Sequence, residues 1–213
     1  MKFTAFLEQV EQFEVPDRKD PSKTVTINRY VLDPKAEPTA VIFGKFNPWT
    51  GPKGHGRLVT AAKKKFGIAN LAIASPEKMD KDLFTREQKN ELIDRETNIT
   101  PLIVKSSIPI RMFTDLLSQG VERPVLFIGQ DREKDFSRFL IPYSKNNQRV
   151  TDMSDKNFGK GEYIVSPRNQ TSATLVRKAL LDGDDAKFLE LTGYEQGTLD
   201  RMKEMLRENG YEV

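Results

Sequence analysis

The sequence predicts an α/β protein of the doubly wound, Rossmann-like class: a parallel sheet of about five strands with helices on both faces. Three observations carry this. Short apolar runs recur between residues 39 and 166, as expected of strands covered on both faces. Segments with helical apolar spacing lie between them. Strand and helix alternate repeatedly, which is the pattern of parallel crossover units.

The elements follow in order. Phe3, Phe6, Leu7, Val10 and Phe13 fall at helical spacing and predict a short amphipathic N-terminal helix. Residues 14–38, rich in Pro, Asp and Lys, read as a connector with an edge strand at "KTVTINRYVL". Residues 1–38 are therefore expected to form an extension packed on a domain made by residues 39–213. That domain opens with the strand "TAVIFG" and a helix from His55 to Phe66. "IANLAIAS" is the second strand. "TREQKNELIDRE" is a helix with a capping box, Thr85 as N-cap and Gln88 three residues on. "ITPLIVK" is the third strand, and "IPIRMFTDLLSQG" is a helix stopped by Gly120. "RPVLFIG" is the fourth strand, with a charged helix from about Arg132, and "EYIVS" is the fifth. "TSATLVRKALLDGD" begins a helical C-terminal third, closing with "TLDRMKEMLRENG", where Leu199, Met202 and Leu206 point inward.

Composition narrows the function classes. The 213 residues include 34 Lys and Arg against 31 Asp and Glu, a formal charge of +3. So slight an excess argues for no nucleic-acid partner and suits small anionic ligands. There is no Cys and a single His, which excludes thiolate chemistry and disfavours a structural zinc site. No apolar run approaches the ~18 residues of a membrane span. The N-terminus lacks the uninterrupted apolar region of a signal peptide, so a cytoplasmic protein is expected. The oligomeric state is open.

The most informative stretch is "FGKFNPWTGPKGHGRLV", residues 43–59, directly after the first strand of the domain. Gly44 and Phe46-Asn47-Pro48 make an abrupt turn. Gly51, Gly54 and Gly56 allow close backbone approach to a ligand. A helix begins near His55, so free N–H groups and the positive dipole end are expected there, beside Lys45, Lys53 and Arg57. These are features of a phosphate site. A second such segment, "QTSATLVRKAL", puts Thr171, Ser172 and Thr174 at a helix start, with Arg177 one turn inside. Trp49 reads either as a stacking partner for a base or as a loop anchor, and Arg168 either as a ligand contact or as surface. Lys63-Lys64-Lys65 reads as the solvated C-terminal end of a helix.

These residues resemble the nucleotidylyltransferase superfamily. G-x-F-x-P-x-T followed by G-H is similar to its "HIGH"-type signature, reduced here to Thr50…Gly54-His55, and "TSATLVR" is similar to its "ISSTxxR"-type signature. "VLFIGQDRE" resembles the loop after the family's fourth strand, and "FTREQKNELID" the helix after its second. The resemblance spans about residues 40–190. Asp131-Arg132 followed by "DFSRFLIPY" is most like the nucleotidylyltransferase-like proteins of large tailed bacteriophages. One departure stands out: three residues, Gly51-Pro52-Lys53, separate Thr50 from Gly54-His55, where the family usually has one. The place of Thr50 in the motif is thereby left open.

The resemblance implies transfer of AMP or CMP from a nucleoside triphosphate to a small phosphorylated acceptor, with release of pyrophosphate. Nicotinamide mononucleotide is the first acceptor to consider, and ATP the first nucleotide. His55, Lys45 and Arg177 would act on the phosphates. Gly44, Phe46, Thr50, Lys53, Gly54, Ser172 and Thr174 would line the phosphate site, and Gly129 and Asp131 would border ribose and base. Mg²⁺ would come bound through the nucleotide phosphates, with no metal ligands from the chain. The competing reading is a non-catalytic nucleotide-binding or virion structural or regulatory protein that keeps the fold.

Overall fold

The computed structural model describes residues 10–16, 20–30, 35–77, 82–105, 109–137, 140–143, 161–166 and 171–213. Strands β1 (Val10–Pro16) and β2 (Thr24–Tyr30) form an antiparallel pair separate from the main sheet. The main domain then runs β3 (Thr39–Phe43), α1 (His55–Phe66), β4 (Leu71–Pro76), α2 (Arg86–Thr97), β5 (Leu102–Val104), α3 (Pro109–Ser118) and β6 (Pro124–Gly129). A 3₁₀ turn (Gln130–Arg132) leads into α4 (Glu133–Phe136), then β7 (Leu140–Pro142) and β8 (Gly161–Ser166). Helices α5 (Ala173–Leu181), α6 (Asp185–Thr192) and α7 (Gln196–Glu208) complete the chain.

Six strands lie in the order β5-β4-β3-β6-β8-β7, and every pair is parallel. The α/β doubly wound class expected from the sequence is the observed one, with one strand more than anticipated. That strand, β7, has three residues, too short to show a period of its own. A second difference concerns the N-terminus. Val10 and Phe13, expected on a helix, lie on β1, whose register with β2 runs from Val10↔Tyr30 to Pro16↔Thr24. Cross-strand pairing supplies backbone partners that local apolar spacing cannot register. Phe3, Phe6 and Leu7 lie outside the described residues.

The strands are covered on both sides. Val41, Ala72, Ala74, Leu126 and Ile128 pack with Met112, Phe113, Leu116 and Leu117 of α3. Ala40, Ile42, Leu71, Ile73 and Phe127 pack on the other face with Val59 and Ala62 of α1 and Ile93 of α2. A third cluster joins Leu83, Phe84 and Leu92 to α5, α6 and α7, where Leu199, Met202 and Leu206 are fully buried. The capping box of α2 is formed in both directions: Thr85 Oγ1 accepts from the Gln88 N–H at 3.3 Å, and Gln88 Oε1 from the Thr85 N–H at 2.9 Å. Among the described residues no helix is long and apolar enough to cross a membrane.

Strand order reverses between β3 and β6. From β3 the chain proceeds outward through β4 to β5, and from β6 it proceeds to the other edge. A crevice opens at such a switch point because the loops after the two central strands diverge to opposite faces. The loops in question are Gly44–Gly54 and the turn after Gly129.

Candidate functional site

The loop after β3 is held by its own side chains around His55. Phe46, at φ 48°, adopts the left-handed backbone that few residues outside glycine take, and turns its ring inward. Its ring meets Trp49 edge-on at 5.0 Å and His55 edge-on at 5.1 Å. Trp49 stacks on the imidazole at 4.9 Å and 28°. Trp49 is fully buried, so it is a loop anchor and has no face to offer a base.

Thr50 determines the state of the imidazole. Its backbone N–H donates to His55 Nδ1 at 3.1 Å, while its hydroxyl oxygen lies 2.8 Å from the same nitrogen. A backbone N–H can only donate, so Nδ1 is the acceptor and the ring proton sits on Nε2. The Thr50 hydroxyl in turn accepts from the His55 backbone N–H at 2.9 Å. Protonating Nδ1 would set an N–H against an N–H. Burial among the aromatic rings acts in the same direction and pushes the imidazole from 6.5 down to about 4. His55 is thus a neutral Nε2–H donor at physiological pH.

The helix start differs from expectation. The N–H groups of Gly54 and Gly56 both go to Gly51 O at 3.0 Å, that of His55 to Thr50 Oγ1, and that of Arg57 to Gly54 O at 3.1 Å. The free amides anticipated at α1 are therefore occupied by the loop, because Gly51, at φ 68°, turns its carbonyl back over them. What the helix start retains is a half-buried imidazole and the dipole end of the helix.

The extra residues Gly51-Pro52-Lys53 bulge away from His55 toward the C-terminal end of α6. The Lys53 N–H donates to Thr192 O at 2.9 Å, and its ammonium to Glu190 O at 2.8 Å. Lys53, expected to reach phosphates, instead caps the carbonyl end of a helix. Because the insertion is absorbed there, Thr50 still reaches His55.

The second segment is tied to the first by two hydrogen bonds. Thr171 Oγ1 donates to Lys53 O at 3.1 Å, and Arg177 Nη2 to Asn47 O at 2.5 Å. Ser172 is the N-cap of α5 and accepts from the Leu175 N–H at 3.5 Å. Thr174 is exposed in the first turn. Arg177 Nε is buried and lacks a hydrogen-bond partner among the described residues. A buried donor without an acceptor is costly, and a bound anion is one way to satisfy it.

Of the remaining expected residues, Gly44 and Lys45 follow β3, and Gly129 and Asp131 lie at and just after the end of β6. Gly44 N–H donates to Ala74 O at 3.2 Å, continuing the β3–β4 ladder. Lys45 is exposed, and its charge reaches the buried Lys89, which is held below the usual lysine range by burial despite its ion pair with Asp82. Gly129 ends β6, and Asp131 lies in the 3₁₀ turn after it. Arg168 lies outside the described residues. A cavity of about 430 Å³ opens beside the end of β4, lined by Asp82, Thr85, Arg86, Lys89 and Asn209; neither His55 nor Arg177 lines it.

Three participants go beyond the sequence reading, in which Asn47 is only part of a turn and Glu96 and Tyr194 carry no signal. Asn47 holds the Leu83 N–H at 3.0 Å through its side chain and Arg177 through its carbonyl. Glu96 and Tyr194, 41 and 139 positions after His55, meet behind Trp49: its indole N–H donates to Glu96 Oε2 at 2.6 Å, and the Tyr194 hydroxyl to the same oxygen at 3.1 Å.

Glycine is required where Thr50 folds over the helix start. A Cβ on Gly54 would lie 2.0 Å from Thr50 Oγ1 and 2.6 Å from Thr50 O. Gly54→Ala is expected to displace Thr50 from His55 and to cost roughly 1–3 kcal/mol, as overpacking does. Chemical denaturation checks the cost, and the nitrogen chemical shifts of the single imidazole check the displacement.

No protein-family model and no curated protein matches this sequence. Among solved structures, the chain is similar to a Vibrio parahaemolyticus protein assigned as a nicotinate-nucleotide adenylyltransferase. The TM-score is 0.50 at 14% identity, over 78% of this chain and 98% of that one. At that identity the likeness is one of fold, and it agrees with the parallel, helix-flanked sheet described above.

Proposed function

We propose that this chain is a nucleotidylyltransferase that moves AMP from ATP to a small phosphorylated acceptor. The observation that carries the reading is the arrangement at the switch point. The loop after β3 holds a neutral imidazole, its Nε2–H fixed as a donor by Thr50, and is bonded through Asn47 to an arginine that has an unpartnered buried N–H among the described residues. The motif resemblance and the fold of an assigned adenylyltransferase both support it. The form of Asp131-Arg132 and the segment after it supports a place among the tailed-phage members of the superfamily.

In the proposed reaction an oxygen of the acceptor phosphate attacks the α-phosphorus. A new P–O bond forms, the bond to the bridging oxygen of the β-phosphate breaks, and pyrophosphate leaves with that electron pair. No side-chain nucleophile is needed. Rate comes from alignment of two anions and from donors aimed where charge develops. His55 Nε2–H would donate to a non-bridging or bridging phosphate oxygen. Because the ring is neutral, positive charge must come from elsewhere: Lys45 and Arg177 supply it from the chain. Magnesium carried on the triphosphate would neutralise the leaving pyrophosphate. Ser172, Thr174 and the first amides of α5, which have no intrahelical acceptor, would hold the outer phosphates. Gly129 and Asp131 would border the nucleoside.

The test is pyrophosphate release with Mg²⁺ across nucleotide and acceptor pairs, nicotinamide and nicotinate mononucleotides first, followed by phosphopantetheine and sugar or alcohol phosphates. Equal ATP and CTP are then supplied together and the product is identified by mass spectrometry. An AMP-bearing product is expected. A CMP-bearing product alone would overturn the choice of base and spare the reaction class. No release with any pair, together with no triphosphate binding by calorimetry, would favour a non-catalytic relative of the fold.

A further inference from the structure

We infer that Glu96 is a positioning residue for His55, acting through the indole of Trp49; the inference rests on the phosphate-directed role proposed for that imidazole. Glu96 sits near the C-terminal end of α2. Its Oε2 collects two donors from separate parts of the chain, Trp49 Nε1 at 2.6 Å and the Tyr194 hydroxyl at 3.1 Å. Its Oε1 lies against the first turn of α1, where a Cβ on Gly56 would come within 2.3 Å of it. One carboxylate therefore joins the loop after β3, the start of α1 and the segment after α6.

The consequence for His55 is geometric. Trp49 is the flat wall on which the imidazole stacks, and Phe46 closes the side of both rings. Stacking alone permits a ring to slide, since it has little directional preference in the plane. The charge-assisted bond from the indole N–H to Glu96 removes that freedom by fixing the Nε1 edge of the wall. Thr50 sets which nitrogen of His55 carries the proton, and Glu96 sets where that nitrogen points.

A carboxylate in this position is not needed for packing alone. Burial raises its protonation range, and the Trp49 and Tyr194 donors and the charge of Lys63 on α1 act against that rise. The positive end of α1 beside Gly56 favours the anion as well. The Tyr194 hydroxyl is held protonated by burial and by the carboxylate it serves.

His55 is the sole imidazole, so its nitrogen and carbon resonances report it without ambiguity. In Glu96→Ala the titration midpoint is expected to move from about 4 toward 6.5 as the indole wall loosens and water reaches the ring, while the Nε2–H tautomer set by Thr50 is retained. In the same variant kcat should fall about 10- to 100-fold, as small misplacements near a reacting centre do, with KM for the triphosphate within about twofold. Glu96→Gln keeps an acceptor for the indole and should recover most of both readouts. Trp49→Phe keeps the ring, loses the indole donor, and should shift the His55 resonances in the direction of Glu96→Ala. If Glu96→Ala does not fold, Trp49→Phe and Tyr194→Phe are read in its place. A folded variant that loses the Glu96 contact and leaves the His55 midpoint and kcat unchanged overturns the inference. The resonance readout does not require turnover, so it decides the positioning role even where no substrate pair is found. In that case the proposed activity fails independently.

Discussion

Replacing His55 with alanine is expected to lower turnover by ~10²–10³, the usual cost of losing one donor to developing charge. The rate of the wild-type protein should show no imidazole titration between about pH 5.5 and 8, because the ring is already neutral across that range. Lys64→Ala, an exposed cation in the last turn of α1, is the control and should change little. Near wild-type turnover in His55→Ala would remove the imidazole from the mechanism.

The same substitution has a stability signature with a definite sign. An unfolded chain binds the imidazole proton below about pH 6.5, whereas the folded chain does so only near about 4. Between those values unfolding takes up a proton, so stability falls as pH falls. The contribution is fully present above 6.5 and is lost as pH drops through about 4, a difference of about 3 kcal/mol on the linkage relation. Urea denaturation of wild type and His55→Ala across this window should give curves whose separation changes by that amount. Parallel curves would mean that the ring is not desolvated as the aromatic contacts indicate.

Arg177→Ala is expected to have a comparable effect on catalysis by a different route. The guanidinium joins α5 to the loop at Asn47 O, and its buried Nε–H has no hydrogen-bond partner among the described residues. Its loss should raise KM for the triphosphate as well as lower kcat, since a fixed cation holds the ground state and the transition state alike. Arg177→Lys should recover charge but not the forked geometry, and so recover binding more than rate. If Arg177→Ala alters neither KM nor kcat with an active substrate pair, the arginine is only a strut between α5 and the loop.

How much of this was legible beforehand follows from the range over which each cause acts. Apolar runs, helical spacing, the Thr85–Gln88 box and the two glycine- or hydroxyl-rich loop-to-helix segments are written in neighbouring residues, so the doubly wound class and the stretch around His55 could be read directly from the sequence. Strand order could not: β7 pairs at the far edge and β3 meets β6 because of contacts between distant segments. For the same reason β1 is a strand, although its apolar spacing suited a helix equally well. The chemistry of the site divides in the same way. The sequence determined that one imidazole lies in a glycine-rich, cationic loop at a helix start. Only the tertiary structure decided that this imidazole is neutral, that Trp49 is its buried wall, that Lys53 turns to Glu190 and that Glu96 anchors the assembly from α2. Protonation state and orientation depend on which groups are brought within hydrogen-bonding distance and how far water is excluded, and both are set by residues remote in the chain.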